Sequence, residues 1–142
     1  MWQMLWPILV VMGANTVYHT CAKSTPANIS PFASLALTYL IAGVVSAALF
    51  FLTTGGQKNI LHEMSKANWA TCILSASIVF LEFGYICVYR AGWPVSVASL
   101  VANIGLASLL LFVGALFYRE TITLRQLAGV AVCAAGLFLI SK

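Results

Sequence analysis

The sequence predicts an all-α integral membrane protein, a bundle of five transmembrane helices. Of its 142 residues, 62% are hydrophobic and 7% are charged, which leaves too little polar surface for a soluble domain of this length. Five continuous apolar segments of about 18 to 23 residues are each long enough to cross a hydrocarbon core of about 30 Å as a helix. Barrel strands would be about half as long and would alternate in polarity. We therefore predict one transmembrane domain over residues 1–142.

The predicted helices are separated by short polar breaks. Pro26 and Pro31 lie between the first two helices, because proline ends a helix or occupies its first turn. The longest break, residues 54–68, separates the second helix from the third. No Lys or Arg precedes the first segment and no A-x-A cleavage site follows it, so we interpret it as a retained helix rather than a signal peptide. The predicted helices cover residues 5–22, 32–53, 69–89, 95–117 and 122–140.

Basic residues divide almost evenly between the two sides of the predicted bundle. Five crossings would place Lys58, Lys66, Arg119 and Arg125 on one side and Lys23, Arg90 and Lys142 on the other. Four against three is a near-tie under the positive-inside rule. We therefore expect that the chain can insert in both orientations and pair antiparallel, and that its basic residues contact lipid headgroups. The net charge of +4 includes no run of Lys and Arg, which argues against nucleic-acid binding.

The residues that support catalysis or metal binding are scarce. The four cysteines lie within or at the edges of apolar segments, form no CxxC motif and have no metal-ligand spacing with histidine. We interpret them as packing residues and predict no metal site and no cofactor. The sequence also contains no nucleophile–base pair and no phosphate-binding loop, so an enzyme is not expected.

Glu82 is the most informative residue of the chain. It is the only acidic residue inside an apolar segment, because Glu63 and Glu120 lie in polar breaks. A carboxylate at membrane depth is costly unless it is paired, hydrated or protonated. We therefore predict that Glu82 binds substrate or carries protons. A packing contact with His19 or with a tyrosine is the alternative interpretation.

Helical spacing groups polar and aromatic side chains on one face of each of four predicted helices. This pattern predicts a bundle with a polar interior and a lipid-facing exterior. The faces comprise Asn15, Tyr18 and His19 in the first helix, Tyr39, Gly43 and Ser46 in the second, Thr71, Ser75, Glu82, Tyr85 and Tyr89 in the third, and Ser96, Ser99 and Asn103 in the fourth.

Depth in the membrane suggests which of these side chains meet. Asn15, Glu82 and Asn103 each lie about eight residues, or roughly 12 Å, from the same side of the predicted bundle. We predict that they form one layer, although hydrogen bonding between helices is an open alternative for the two asparagines. Aromatic rings beside a carboxylate suit an organic cation or an amphipath. The predicted site residues are Glu82, Asn15, His19, Tyr85, Asn103, Tyr18 and Tyr89.

The last predicted helix carries a different signal. Gly129 and Gly136 are seven residues apart and have several alanines around them. Small residues at this spacing form a flat face for close helix contact. The contact is either within the chain or a dimer seam.

Nearly the whole chain resembles the drug/metabolite transporter superfamily, and in particular its EamA-type domains. The resemblance rests on the Pro-containing turn Ala91–Pro94, on the turn in which Glu120, Ile122 and Thr123 match the family pattern, and on the Gly-rich last helix. Arg119 stands where a glycine is usual in that turn. The small multidrug resistance family is a more distant relative, but its essential glutamate lies in the first helix, where this chain has Asn15 and no acid.

The resemblance implies a five-helix repeat unit, one half of a ten-helix inverted-repeat transporter. It also implies a homodimer or heterodimer, which is antiparallel in the small multidrug resistance family. We therefore expect a transporter in the bacterial inner membrane that moves a small amphipathic or cationic metabolite in exchange for protons. The alternative is a non-transporting membrane subunit of a larger complex, or the partner subunit of a lipid-linked sugar flippase.

Overall fold

All regular structure in the described part of the chain is α-helical. The computed structural model describes residues 2–119, 121 and 123–140. The predicted all-helical class is confirmed, and each predicted segment coincides with a long helix to within about three residues at either end. The short helix α3 was not predicted. The helices are α1 Trp2–Ser24, α2 Pro31–Thr54, α3 Ile60–Met64, α4 Trp69–Arg90, α5 Val95–Phe117 and α6 Leu124–Ile140.

The long helices expose apolar side chains that lipid would cover. Leu52, Leu116 and Leu124 are 78%, 79% and 85% exposed, an arrangement that is costly in water and natural in a bilayer. Among the described residues, α2, α4 and α5 are long and apolar enough to cross a membrane, and α6 is a shorter apolar helix. These helices indicate an integral membrane protein. The full count of five crossings stays a prediction.

The chain divides into two compact units. The first comprises Met1–Thr20 and Ala91–Lys142, and within it α5 packs against α6. The second comprises Cys21–Arg90, and within it α2 packs against α4. The rings of Phe32 and Phe83 stack across the α2–α4 contact with centroids 4.7 Å apart. The prediction of a single domain stays a prediction.

Local side-chain chemistry explains where several helices begin. Pro31 occupies the first turn of α2, where its missing N–H is not needed. The side-chain oxygens of Asn59 and Asn68 accept hydrogen bonds from backbone N–H groups in the first turns of α3 and α4, both at 3.0 Å. Thr123 and Gln126 form a capping box before α6, because each side-chain oxygen accepts a hydrogen bond from the other's backbone N–H, at 2.8 Å and 3.3 Å.

The loop between α2 and α4 contains an ion pair. Glu63 lies in α3 and Lys66 lies just after it. The Lys66 ammonium is 2.8 Å from a carboxylate oxygen of Glu63. This hydrogen bond from Lys66 lowers the pKa of Glu63. The acid of this loop therefore has a local partner on the solvated part of the chain.

Arg90, the last residue of α4, holds the connection between α1 and α2. Its guanidinium donates hydrogen bonds to the carbonyl oxygens of Pro26 at 3.0 Å and Ile29 at 2.7 Å. Hydrogen bonds from an ionised donor are among the stronger ones in proteins. They satisfy two carbonyls of a proline-containing connection and fix that connection beside the end of α4.

The turn after α5 requires a left-handed residue. The backbone N–H of Tyr118 closes the helix on the carbonyl of Gly114 at 3.1 Å, and Arg119 then adopts φ 55°. Glycine adopts this conformation freely, whereas a residue with a Cβ does so at a cost. This gives a physical reason for the usual glycine at this point of the EamA-type turn. The matching residues Glu120 and Ile122 lie outside the described residues.

Replacing Arg119 by glycine should therefore stabilise the protein. Removing the Cβ relieves the left-handed strain, and the expected gain is about 1 kcal/mol in the free energy of unfolding. Thermal unfolding in detergent micelles measures the change. The control Arg119→Ala removes the same charge but keeps the Cβ, and it should give no gain. Equal stabilisation by both variants would attribute the effect to charge rather than to backbone conformation.

Candidate functional site

Glu82 lies on the face of α4 that meets α2. Its side chain is half-buried, and Tyr39 of α2 is its neighbour across the contact. The Tyr39 hydroxyl is within electrostatic reach of the Glu82 carboxylate. That hydroxyl is buried. The two side chains are close enough to interact through charge and through a hydrogen bond from the hydroxyl to the carboxylate.

A cleft opens beside Tyr39 between α2 and α4. It has a volume of about 350 Å³ and is lined by Tyr39, Ser75, Ile78 and Val79. Ser75 lies two helical turns before Glu82 on the same face of α4. The Ser75 hydroxyl donates to the carbonyl of Thr71 at 2.9 Å, so its oxygen can still accept a hydrogen bond. The volume falls within the range of small-molecule pockets.

Two stacked tyrosines continue the face of α4 beyond Glu82. The rings of Tyr85 and Tyr89 have centroids 6.0 Å apart and are inclined by 21°. Tyr89 is only 5% exposed. The ammonium nitrogen of Lys23 lies 5.8 Å from the centroid of the Tyr89 ring, which is within cation–π range. The structure thus brings three predicted site residues, Glu82, Tyr85 and Tyr89, onto one continuous face.

The remaining predicted site residues belong to the first unit. Tyr18 and His19 touch edge to face with ring centroids 5.1 Å apart, and His19 is buried at 7% exposure. Asn15 is exposed on α1. Asn103 is exposed on α5 and lines a cleft of about 400 Å³ between α5 and α6, which also includes Gly129. The predicted layer of Asn15, Glu82 and Asn103 joins residues of both units and stays a prediction.

None of the four residues that line the α2–α4 cleft is among the predicted site residues, and two of the four are polar. Tyr39 was recognised as part of a polar stripe on its helix, and Ser75 as part of the Glu82 stripe, but neither was included. The stripe pointed to the correct face of each helix. The pairing was missed because helical periodicity does not specify which residues of two neighbouring helices lie opposite one another.

The chemistry of this arrangement suits recognition rather than covalent catalysis. One carboxylate, two hydroxyl groups and two stacked aromatic rings can hold a cation through charge, hydrogen bonds and ring faces. The same carboxylate can also take a proton. Ion binding and proton binding would then exclude each other at one group.

The comparison with known proteins agrees with this architecture. The sequence model of the EamA-like transporter family matches residues 2–142, which is nearly the whole chain. No curated protein and no solved structure gives a significant match. The match confirms the resemblance that was read from the turns and the last helix. The chain belongs to the EamA-like transporter family.

Proposed function

We propose that this protein is a transporter of the drug/metabolite type that binds a small cationic or amphipathic metabolite at Glu82 and exchanges it for protons. The single observation that carries the proposal is the half-buried Glu82 carboxylate next to Tyr39, whose side chain lines a cleft of about 350 Å³. Membership of a transporter family supports the general class. The substrate, the coupling ion and the oligomeric state belong to the proposal.

The position of Glu82 along α4 provides a basis for coupling substrate binding to proton binding. Eight residues separate it from Arg90 at the end of the helix, which corresponds to about 12 Å of depth. A bare carboxylate at that depth is costly, and either a proton or a bound cation relieves the cost. Loading one therefore displaces the other, which is the basis of antiport. Alternating exposure of the site to the two sides would turn that competition into transport.

A dimer with five crossings per subunit in the bacterial inner membrane completes the proposal. Asn103 lies eight residues into α5, roughly 12 Å deep, and its side chain is exposed. An exposed amide at that depth gains from a hydrogen-bonding partner on another helix. The near-tie in basic residues between the two sides favours antiparallel pairing. Crosslinking of single-cysteine variants in membranes reports the relative orientation of the subunits.

Glu82→Gln should abolish proton-driven transport and leave the protein folded. The amide keeps the shape of the side chain but neither titrates nor carries charge. Uptake of a cationic probe by proteoliposomes with an imposed proton gradient measures coupling, and thermal unfolding measures folding. The matched control is Glu63→Gln, which removes the acid that is paired with Lys66 in the loop, and it should transport normally.

Proton-driven uptake by Glu82→Gln at the rate of the unmodified protein would refute the role of Glu82. A second outcome, in which the unmodified protein moves no probe and purifies as a stable complex with a larger membrane protein, would support the alternative of a non-transporting subunit. A lipid-linked sugar flippase is one such larger partner.

Tyr39→Phe should weaken substrate binding and change stability little. The hydroxyl interacts with Glu82, and a single hydrogen bond contributes only about 1 kcal/mol net to stability. If it donates to the substrate or to Glu82 during transport, the half-saturating substrate concentration should rise about fivefold. Tyr118→Phe, at an exposed tyrosine after α5, is the control and should change nothing. A loss of stability without any change in half-saturation would instead make Tyr39 a packing residue.

A further inference from the structure

We propose that the loop between α2 and α4, residues 55–68, binds the surface of an anionic bilayer through its short helix α3. We call this segment the α3 loop. The apolar face of α3 enters the boundary between headgroups and acyl chains, and the basic residues beside it contact anionic headgroups. This contact is separate from the Glu82 site and does not depend on transport.

The α3 loop leaves and re-enters the membrane at one surface. α2 and α4 are both long and apolar enough to cross a membrane, and they pack against each other. At the end of α2, Gly55 and Gly56 adopt φ angles of 58° and 75°, and the N–H of Gln57 donates to the carbonyl of Thr54 at 3.2 Å. This turn reverses the chain. The three residues between the turn and α3 reach at most about 11 Å, so α3 stays near the membrane surface.

One face of α3 is apolar and exposed. At about 100° per residue, Ile60, Leu61 and Met64 fall within an arc of about 100°, and the two polar residues of the helix lie outside it. Leu61 is 72% exposed and Met64 is 63% exposed. Trp69, at the start of α4, is exposed as well, and tryptophan is typical of the membrane interface. Lipid at that level would cover all of these side chains.

The charge beside this face is positive. Lys58 and Lys66 lie on either side of α3, and Glu63 is the only acid in the sequence of the loop. The Lys66 ammonium pairs with the Glu63 carboxylate at 2.8 Å, so the exposed Lys58 carries the surplus charge. A lysine near anionic lipid gains from the negative potential of that surface. The charge and the apolar face therefore both favour an anionic bilayer.

The exposed side chains of α3 also have a simpler interpretation. Single apolar residues are common on solvated loops and need no partner. A solvated α3 would open equally often in any lipid. The backbone N–H groups of Glu63 and Ser65 report this opening, because they donate to the carbonyls of Asn59 and Leu61 at 3.1 Å and 3.0 Å. Hydrogen exchange of these two amides separates the two interpretations.

The test is hydrogen–deuterium exchange of the full chain, measured by mass spectrometry in nanodiscs of phosphatidylcholine with and without phosphatidylglycerol. The Glu63 and Ser65 amides should exchange about 3- to 5-fold more slowly with the anionic lipid. Lys58→Gln should abolish this difference, and Glu63→Gln should enlarge it, because it leaves Lys66 as a second surplus cation. The matched control Lys23→Gln removes a charge beside Tyr89, at the other end of α4, and should leave the difference unchanged.

The apolar contact is tested by a double variant, Leu61→Gln with Met64→Gln. Glutamine has nearly the helix propensity of leucine and methionine, so the substitution removes the apolar face with little direct effect on α3. Exchange of the loop amides should become several-fold faster in both lipid compositions. Unchanged exchange would place the face in water and overturn the proposal.

The charge variants can also contradict the proposal. Equal exchange of the unmodified protein in the two lipid compositions would overturn it. A loss of the difference in Lys23→Gln as large as that in Lys58→Gln would do so too, since net charge alone would then explain the effect. Lys58→Met provides a second neutral side chain if Lys58→Gln lowers the unfolding temperature.

Discussion

A carboxylate within an apolar helix must be compensated, and the contact between α2 and α4 compensates Glu82 in part. The side chain is half-buried and has the Tyr39 hydroxyl as its neighbour. A single neutral hydroxyl does not neutralise a carboxylate, so its compensation is incomplete. A site that is partly compensated at rest gains free energy when a proton or a cation arrives, whereas a fully satisfied ion pair would have little to gain. Tyr39 also lines the cleft of about 350 Å³ between the two helices.

The connection between α1 and α2 is held beside the end of α4 that carries Tyr89. Arg90 ends α4, and its two hydrogen bonds hold the segment that leads from α1 into α2. The same segment follows Lys23, whose ammonium lies over Tyr89. Two basic residues that topology alone would assign to one membrane boundary therefore have different local roles. One positions the backbone, and the other places a charge at the outer end of an aromatic and acidic face.

The backbone conformation of the turn after α5 explains why a glycine is usual at the position of Arg119 in the family. The sequence contains Arg119 where a glycine is usual, and the residue adopts a left-handed backbone conformation. The left-handed region is open to glycine and costly for other residues. The chain therefore tolerates local strain between two helices whose apolar faces favour the membrane. The stability of the surrounding helices must offset that strain, since the turn keeps its conformation without the glycine.

The sequence alone determined the helical class, the segment boundaries, the family and the position of Glu82 inside an apolar segment, because each follows from local composition and residue spacing. An apolar run of about 20 residues specifies a helix wherever it packs, and an acid inside it is conspicuous without coordinates. The tertiary structure decided what faces that acid. Tyr39 and Ser75 were visible only as members of stripes, since the rotation and offset of one helix against another depend on side-chain packing across the contact. Lys23 over Tyr89 was likewise hidden, because 66 residues of sequence separate two side chains that the fold of the second unit brings together.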